Sequence, residues 1–241
     1  MGLMNQTPTT EDKIRLMTDV VIAIDGPVGV GKTTVAKEFA KRLNYFHLDS
    51  GAMYRCVTLE VIEKNYNIQN DGDIKKLLQN LEIELIPLDS GMKVTCNNRD
   101  VTEAIRSEEI NCKISEVADH IKVRMRINEL QREIASGKRV VVEGRDIGTV
   151  VFPDAKYKFY LDADIKERTR RRWLEFKDKG LDYDYEKILQ SVIERDKRDK
   201  GRPFGALKKA EDAIVIDTTN LMVNEVVNKL ISYLDKGDIE N

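Results

Sequence analysis

Val20-Val21-Ile22-Ala23-Ile24-Asp25-Gly26-Pro27-Val28-Gly29-Val30-Gly31-Lys32-Thr33 is a short apolar run that stops in a glycine-rich loop. The run lacks polar alternation, which predicts a parallel strand covered on both faces. Behind the loop, Val35, Ala36, Phe39, Ala40 and Leu43 recur at helical spacing, opposite Lys37, Glu38, Lys41 and Arg42. Gly26 to Thr33 fits G-x-x-x-x-G-K-[ST] in the strand–loop–helix setting that the pattern requires. Its glycines let backbone N–H groups turn inward around phosphate oxygens, where the helix N-terminus adds positive potential. Gly26, Pro27, Val28, Gly29, Val30, Gly31, Lys32, Thr33 and the adjoining Thr34 are therefore candidate nucleotide-binding residues. Lys32 can reach the outer phosphates, and the Thr33 hydroxyl can ligate Mg²⁺.

Working outward, buried strands are expected at Val140-Val141-Val142, at Tyr157 to Leu161 and at Ala213-Ile214-Val215-Ile216, with helical patterns between them. Strands alternating with helices indicate a parallel α/β sheet, whose ligands bind at the carboxyl ends of the strands. Residues 81–101 differ. Leu81, Ile83 and Leu85 alternate with charges, Asp89-Ser90-Gly91 makes a turn, and Lys93-Val94-Thr95-Cys96 resumes alternation, so an antiparallel hairpin is expected. Ile114, Val117, Ala118 and Ile121, then Ile127, Leu130 and Ile134, continue at helical spacing. Residues 50–136 thus read as a lobe inserted between the first two core strands.

In 241 residues, 41% apolar content supports a substantial core, and 42 acids against 40 bases leave no net field for nucleic acid or a membrane surface. Cys56, Cys96 and Cys112 are far apart, which fits free thiols in a reducing cytoplasm. His47 and His120 are isolated and lack metal-site spacing. No stretch approaches the roughly 20 apolar residues of a membrane span. Residues 1–18 are expected to form a mobile extension.

Two classes compete for a phosphate-loop chain. A GTPase-type switch needs D-x-x-G and N-K-x-D; Asn228-Lys229-Leu230-Ile231 lacks the final acid, and neither pattern occurs. A phosphotransferase needs cations around a second phosphate, and Arg55, Arg145, Arg195, Arg202 and the run Lys166-Glu167-Arg168-Thr169-Arg170-Arg171-Arg172 offer them. The run puts Arg168 beside Arg171 and Arg172 on one helix face. That cluster is either a solvated surface or a lid over ATP phosphates, with Arg168 and Arg171 as its candidate contacts. Arg195, Asp199 and Arg202 share a second face, where the acid can hold the arginines, meet a sugar, or form a surface pair.

I-D-G-P-x-x-x-G-K-[ST], Leu48-Asp49-Ser50-Gly51-Ala52-Met53-Tyr54-Arg55 and the stretch from Glu143-Gly144-Arg145-Asp146 to Phe152-Pro153 together resemble the bacterial cytidylate kinases. Glu194-Arg195-Asp196-Lys197-Arg198-Asp199 and Asp217-Thr218-Thr219 extend the resemblance to about Val20–Leu234. It implies a P-loop NTPase three-layer fold with a parallel sheet core (19–49, 137–163 and 181–236). It also implies an inserted monophosphate-binding lobe with a small three-stranded antiparallel sheet (50–136) and a helical lid (164–180). The implied reaction is ATP plus CMP or dCMP giving ADP plus CDP or dCDP, with Mg²⁺. Composition leads us to expect a cytoplasmic protein without nucleic-acid or membrane partners, and a monomer is expected. Carried over by position, Ser50, Tyr54, Arg55, Arg145 and Arg195 would surround the acceptor phosphate, and Asp199 would meet the ribose. Ser115, Arg124, Asp146 and Arg202 would line the cytosine site. Lys32, Arg145, Arg171 and Arg195 would carry the catalytic charge. Glu143 departs from the Asp common in relatives and Thr33 from Ser or Gly, and 118–122 lacks the proline expected before the arginine helix. Without the resemblance, an adenylate or uridylate type of phosphate-loop kinase stands level.

Overall fold

The structure, a computed structural model, describes residues 20–88, 91–178 and 180–239. The expected N-terminal extension lies outside these, as do Asp89 and Ser90 of the expected turn. Strand β1 (Val21–Asp25) leads through the glycine loop into α1 (Lys32–Leu43), whose Val35, Ala36, Phe39, Ala40 and Leu43 are all buried. Beside β1 run β6 (Val140–Gly144) and β7 (Tyr157–Asp162), both parallel to it. At the edges lie β2 (Phe46–Asp49) and β8 (Ile214–Asp217), giving the order β2-β6-β1-β7-β8. All pairings in this sheet are parallel. The strand β2 has no forecast in the sequence. It begins two residues after the left-handed Asn44 that ends α1, and it is held by pairing Phe46 with Val140.

Between β2 and β6 the chain builds α2 (Ser50–Glu63), α3 (Asp71–Gln79), a three-stranded antiparallel sheet, α4 (Glu108–Asp119) and α5 (Ile121–Ala135). The small sheet has the order β3 (Ile83–Leu88), β4 (Gly91–Cys96), β5 (Arg99–Asp100). The helical spacing across 114–134 does not form one rod. His120 takes an extended conformation (ψ 118°) that separates α4 from α5, and Ile121 opens α5 with 47% exposure rather than packing inward. The break occurs without proline.

Two apolar cores flank the large sheet. One joins Val140, Val142 and Leu48 to Met53, Val57, Ile74, Ile127 and the inner faces of β3 and β4, so the inserted segment packs on one face of the sheet. The other joins Ile22, Ile24, Phe159 and Ile216 to α1 and to α8 (Val223–Ile231). After β7 come α6 (Ile165–Asp178) and α7 (Tyr185–Lys200), which pack on each other; the chain closes with α9 (Lys236–Ile239). Among the described residues no helix is long and apolar enough to cross a membrane.

Candidate active site

The carboxyl ends of β1, β2, β6 and β8 open onto one cleft of about 1030 Å³. Its floor at one end is the glycine loop. Gly29 has φ +80°, and a Cβ there would lie 2.9 Å from the Arg168 carbonyl oxygen, so the loop must approach α6 as glycine. The approach is fixed from below: Arg168 donates to Val28 O (3.0 Å) and pairs with Asp196 (2.6 Å), while Val28 N reaches the same acid at 3.4 Å. Arg168 is thus turned under the loop and is not a cleft-lining side chain, contrary to the expected contact with ATP phosphates. Gly26 and Pro27 also lie off the cleft wall, whereas Val28 to Thr34 line it.

Lys32 is buried and donates to Pro27 O at 2.6 Å. Burial pulls its pKa well below the usual lysine value, and nearby Arg145 acts in the same direction. Thr33 Oγ1 donates to Glu143 Oε2 at 3.0 Å, and the other Glu143 oxygen lies 3.2 Å from His47 Nε2. Burial, with Asp49 close by, raises the Glu143 carboxyl.

The arginine run does not form the like-charge face that its spacing suggests. Arg170 and Arg171 both bind Glu167, Arg172 binds Glu175, and Arg168 binds Asp196. The two bonds from Arg170 and Arg171 bring Glu167 down to about 2, with the Arg170 bond the larger cause. Arg171 also reaches Val30 O (3.3 Å), Thr218 Oγ1 (3.1 Å) and Thr218 O (2.5 Å), spanning the glycine loop and the turn after β8. That turn, Thr218 to Met222, lines the cleft and was not singled out from sequence except through Asp217-Thr218-Thr219.

At the other end, Asp199 is 0% exposed and surrounded by guanidinium groups. Arg145 Nε lies 2.8 Å and Arg195 Nε 3.2 Å from it, and Arg202 Nη2 binds it as well. Burial alone would raise this carboxyl, but the three arginines outweigh it and hold Asp199 well below the usual range. Burial lowers Arg195 to about 10. Arg145, Arg195 and Arg202 line the cleft, and Asp199 stands behind them.

Deeper on this side, Arg124, 1% exposed, pairs with Asp146 at 2.7 Å and lies 5.3 Å from the Tyr54 ring centre. Arg124 Nε and Asp146 Oδ2 are buried without a hydrogen-bond partner. Gly205 (φ +67°) closes over the pair, and a Cβ there would collide with both side chains. Asp146 is positioned by the turn that follows it, because Asp25 at the end of β1 accepts from Ile147 N (2.9 Å) and Gly148 N (2.8 Å). Ser50 donates to Glu143 O (2.6 Å), and Arg55 donates to Ile105 O (3.2 Å). Ser50, Tyr54, Arg55, Arg124 and Asp146 line the cleft; Ser115 does not, its place on α4 being taken by Ile114 and Ala118. Arg106, beside Arg55, lines it too, and no sequence pattern pointed there.

A family profile described as cytidylate kinase matches residues 22–236. The cytidylate kinase of Carboxydothermus hydrogenoformans is 46% identical over 219 residues, covering 90% of this chain and 99% of its own. That of Halalkalibacterium halodurans is 44% identical, covering 88% and 96%. The crystal structure of an uncharacterized protein from Eubacterium ventriosum shares the fold, with TM-score 0.50 and 18% identity over 90% of this chain and 99% of that one. With a profile that spans the phosphate loop, the Asp199 arginines and the Arg124–Asp146 pair, the chain belongs to the cytidylate kinase family.

Proposed function

We propose that the chain transfers the γ-phosphoryl group of ATP to CMP or dCMP, giving ADP and CDP or dCDP. The observation that carries this reading is a single cleft with a phosphate loop at one end, the Arg124–Asp146 pair at the other, and Arg145 and Arg195 between them. ATP phosphates sit on the loop amides, with Lys32 exchanging Pro27 O for a phosphate oxygen and Arg171 beside it. The acceptor phosphate lies against Arg55, Arg145 and Arg195. Its oxygen is already ionised, so it attacks the γ-phosphorus without a base, and the bond to the β,γ-bridging oxygen breaks as ADP leaves. Guanidinium and ammonium groups stabilise the charge that spreads over the transferred group.

The Thr33 hydroxyl, the Glu143 carboxylate bonded to it and nearby Asp49 form a hard oxygen set that fits Mg²⁺. When bound, the ion neutralises charge on the outer phosphates. Arg124 and Asp146 line the deep end of the cleft, and a carboxylate beside a guanidinium is the complement of the cytosine N4 amino group beside N3. In this reading residues 50–136 form the acceptor lobe and α6 the lid, with Arg168 bracing the loop. The free cysteines suit a reducing cytoplasm. A coupled ADP-release assay across AMP, CMP, UMP, GMP and dTMP tests the proposal, with CMP expected to give the fastest turnover; a faster rate with any other acceptor overturns it.

A further inference from the structure

Asp119 is the last residue of α4, where a carboxylate faces the negative end of the helix dipole. Two guanidinium groups at the end of α7 offset that cost. Arg198 Nε binds one carboxylate oxygen, and Arg202 Nε lies 2.5 Å from the other. Arg202 also binds Asp199, the acid that holds Arg145 and Arg195. Immediately after Asp119 the chain breaks at His120 and enters α5, whose Arg124 donates back to Ala118 O at 3.0 Å while pairing with Asp146. The α4–α5 junction therefore grips the rest of the molecule twice, once through Arg124 and once through Asp119.

We infer that Asp119 is a positioning residue for acceptor recognition: it orients Arg202 and, through Arg202 and Asp199, aligns Arg145 and Arg195. The inference rests on the proposed reading that this end of the cleft takes the nucleoside monophosphate. The two arginines are not equivalent. The Arg202 side chain is 3% exposed and depends on protein acceptors, whereas that of Arg198 is 47% exposed and remains hydrated. Losing Asp119 is consequently felt through Arg202, at the acceptor end, and not on the glycine loop.

The test compares Asp119→Asn, Asp119→Glu and Arg198→Ala in the full chain, varying CMP at saturating ATP and ATP at saturating CMP. Asp119→Asn is expected to raise KM for CMP about tenfold, because a small misplacement of a positioning group costs that much or more. KM for ATP should stay within about twofold, Asp119→Glu should recover part of the loss, and Arg198→Ala should change neither KM by more than about twofold. Equal rises in both KM values, an unchanged KM for CMP in Asp119→Asn, or an equal effect from Arg198→Ala overturns the inference. If the wild-type enzyme itself prefers another monophosphate, the proposed substrate is wrong, and the same split between acceptor and ATP is read with that monophosphate.

Discussion

Arg145 and Asp199 meet at 2.8 Å although 54 residues of chain separate them. Their pairing joins the end of β6 to the last turn of α7 and fixes a guanidinium that faces the cleft. Replacing Asp199 with Asn leaves three arginines without their shared counter-charge. Breaking a buried pair in this way costs about 3–5 kcal/mol. Urea unfolding of Asp199→Asn at pH 7 should show a loss of that size. The native carboxyl titrates below its usual range, so its contribution is present above about pH 4 and fades as pH falls further. A variant as stable as wild type at pH 7 would contradict the assigned holding role.

Lys32 is the sole lysine of the glycine loop, and its ammonium rests on Pro27 O within reach of the loop's phosphate positions. Lys32→Ala should lower kcat about 10³-fold with the melting temperature little changed, in line with the loss of one charge-stabilising group. Normal turnover would remove Lys32 from the chemistry.

Arg124 and Asp146 present opposite hydrogen-bond polarities side by side. Uracil carries an acceptor where cytosine has its amino donor, so UMP meets a repelling carboxylate. The wild-type enzyme should favour CMP over UMP by at least about 10²-fold in kcat/KM, and Arg124→Met should shrink that ratio. An unchanged ratio in the variant would mean that base choice is made elsewhere.

Asp25 is buried, and burial raises its carboxyl to about 6 despite bonds from Ile147 and Gly148; Asp146 raises it further and Lys32 lowers it. Because the folded state holds this proton more tightly than the unfolded chain, stability from Asp25 falls as pH rises between about 4 and 6. The full change is about 3 kcal/mol. Urea midpoints of wild type and Asp25→Asn measured from pH 4 to 6.5 should therefore diverge, the variant gaining relative to wild type as pH rises. Parallel curves would show that Asp25 does not titrate in this window.

The strands β1, β6, β7 and β8 were legible because each is rich in β-branched or aromatic residues and is stopped by Asp or Gly. The edge strand β8 is not covered on both faces as expected, since Val215 is 50% exposed. Strand β2 was not legible, since four residues that include His47 and Asp49 carry little pattern, and only pairing with β6 makes them a strand. The break at His120 carries no proline to mark it, and helical spacing continues across it. In the arginine run, Glu167 was within one turn and its pairing could be read locally. Asp196, which turns Arg168 under the glycine loop, lies 28 residues away and left no trace in the spacing. The positions of Asp119 and Arg106 are likewise products of packing.

Strand β1 sits at the centre of its sheet, yet its neighbours are Val140 onward and Tyr157 onward. On a ribosome adding 5–20 residues per second, the chain emerging after Val21 waits about 6 to 24 s for its first partner. During that interval Val20 to Ile24 is an unpaired apolar segment of the kind that adheres to other nascent chains. Substitutions that slow the synthesis of residues 22–140 should lower the yield of folded protein without touching the cleft.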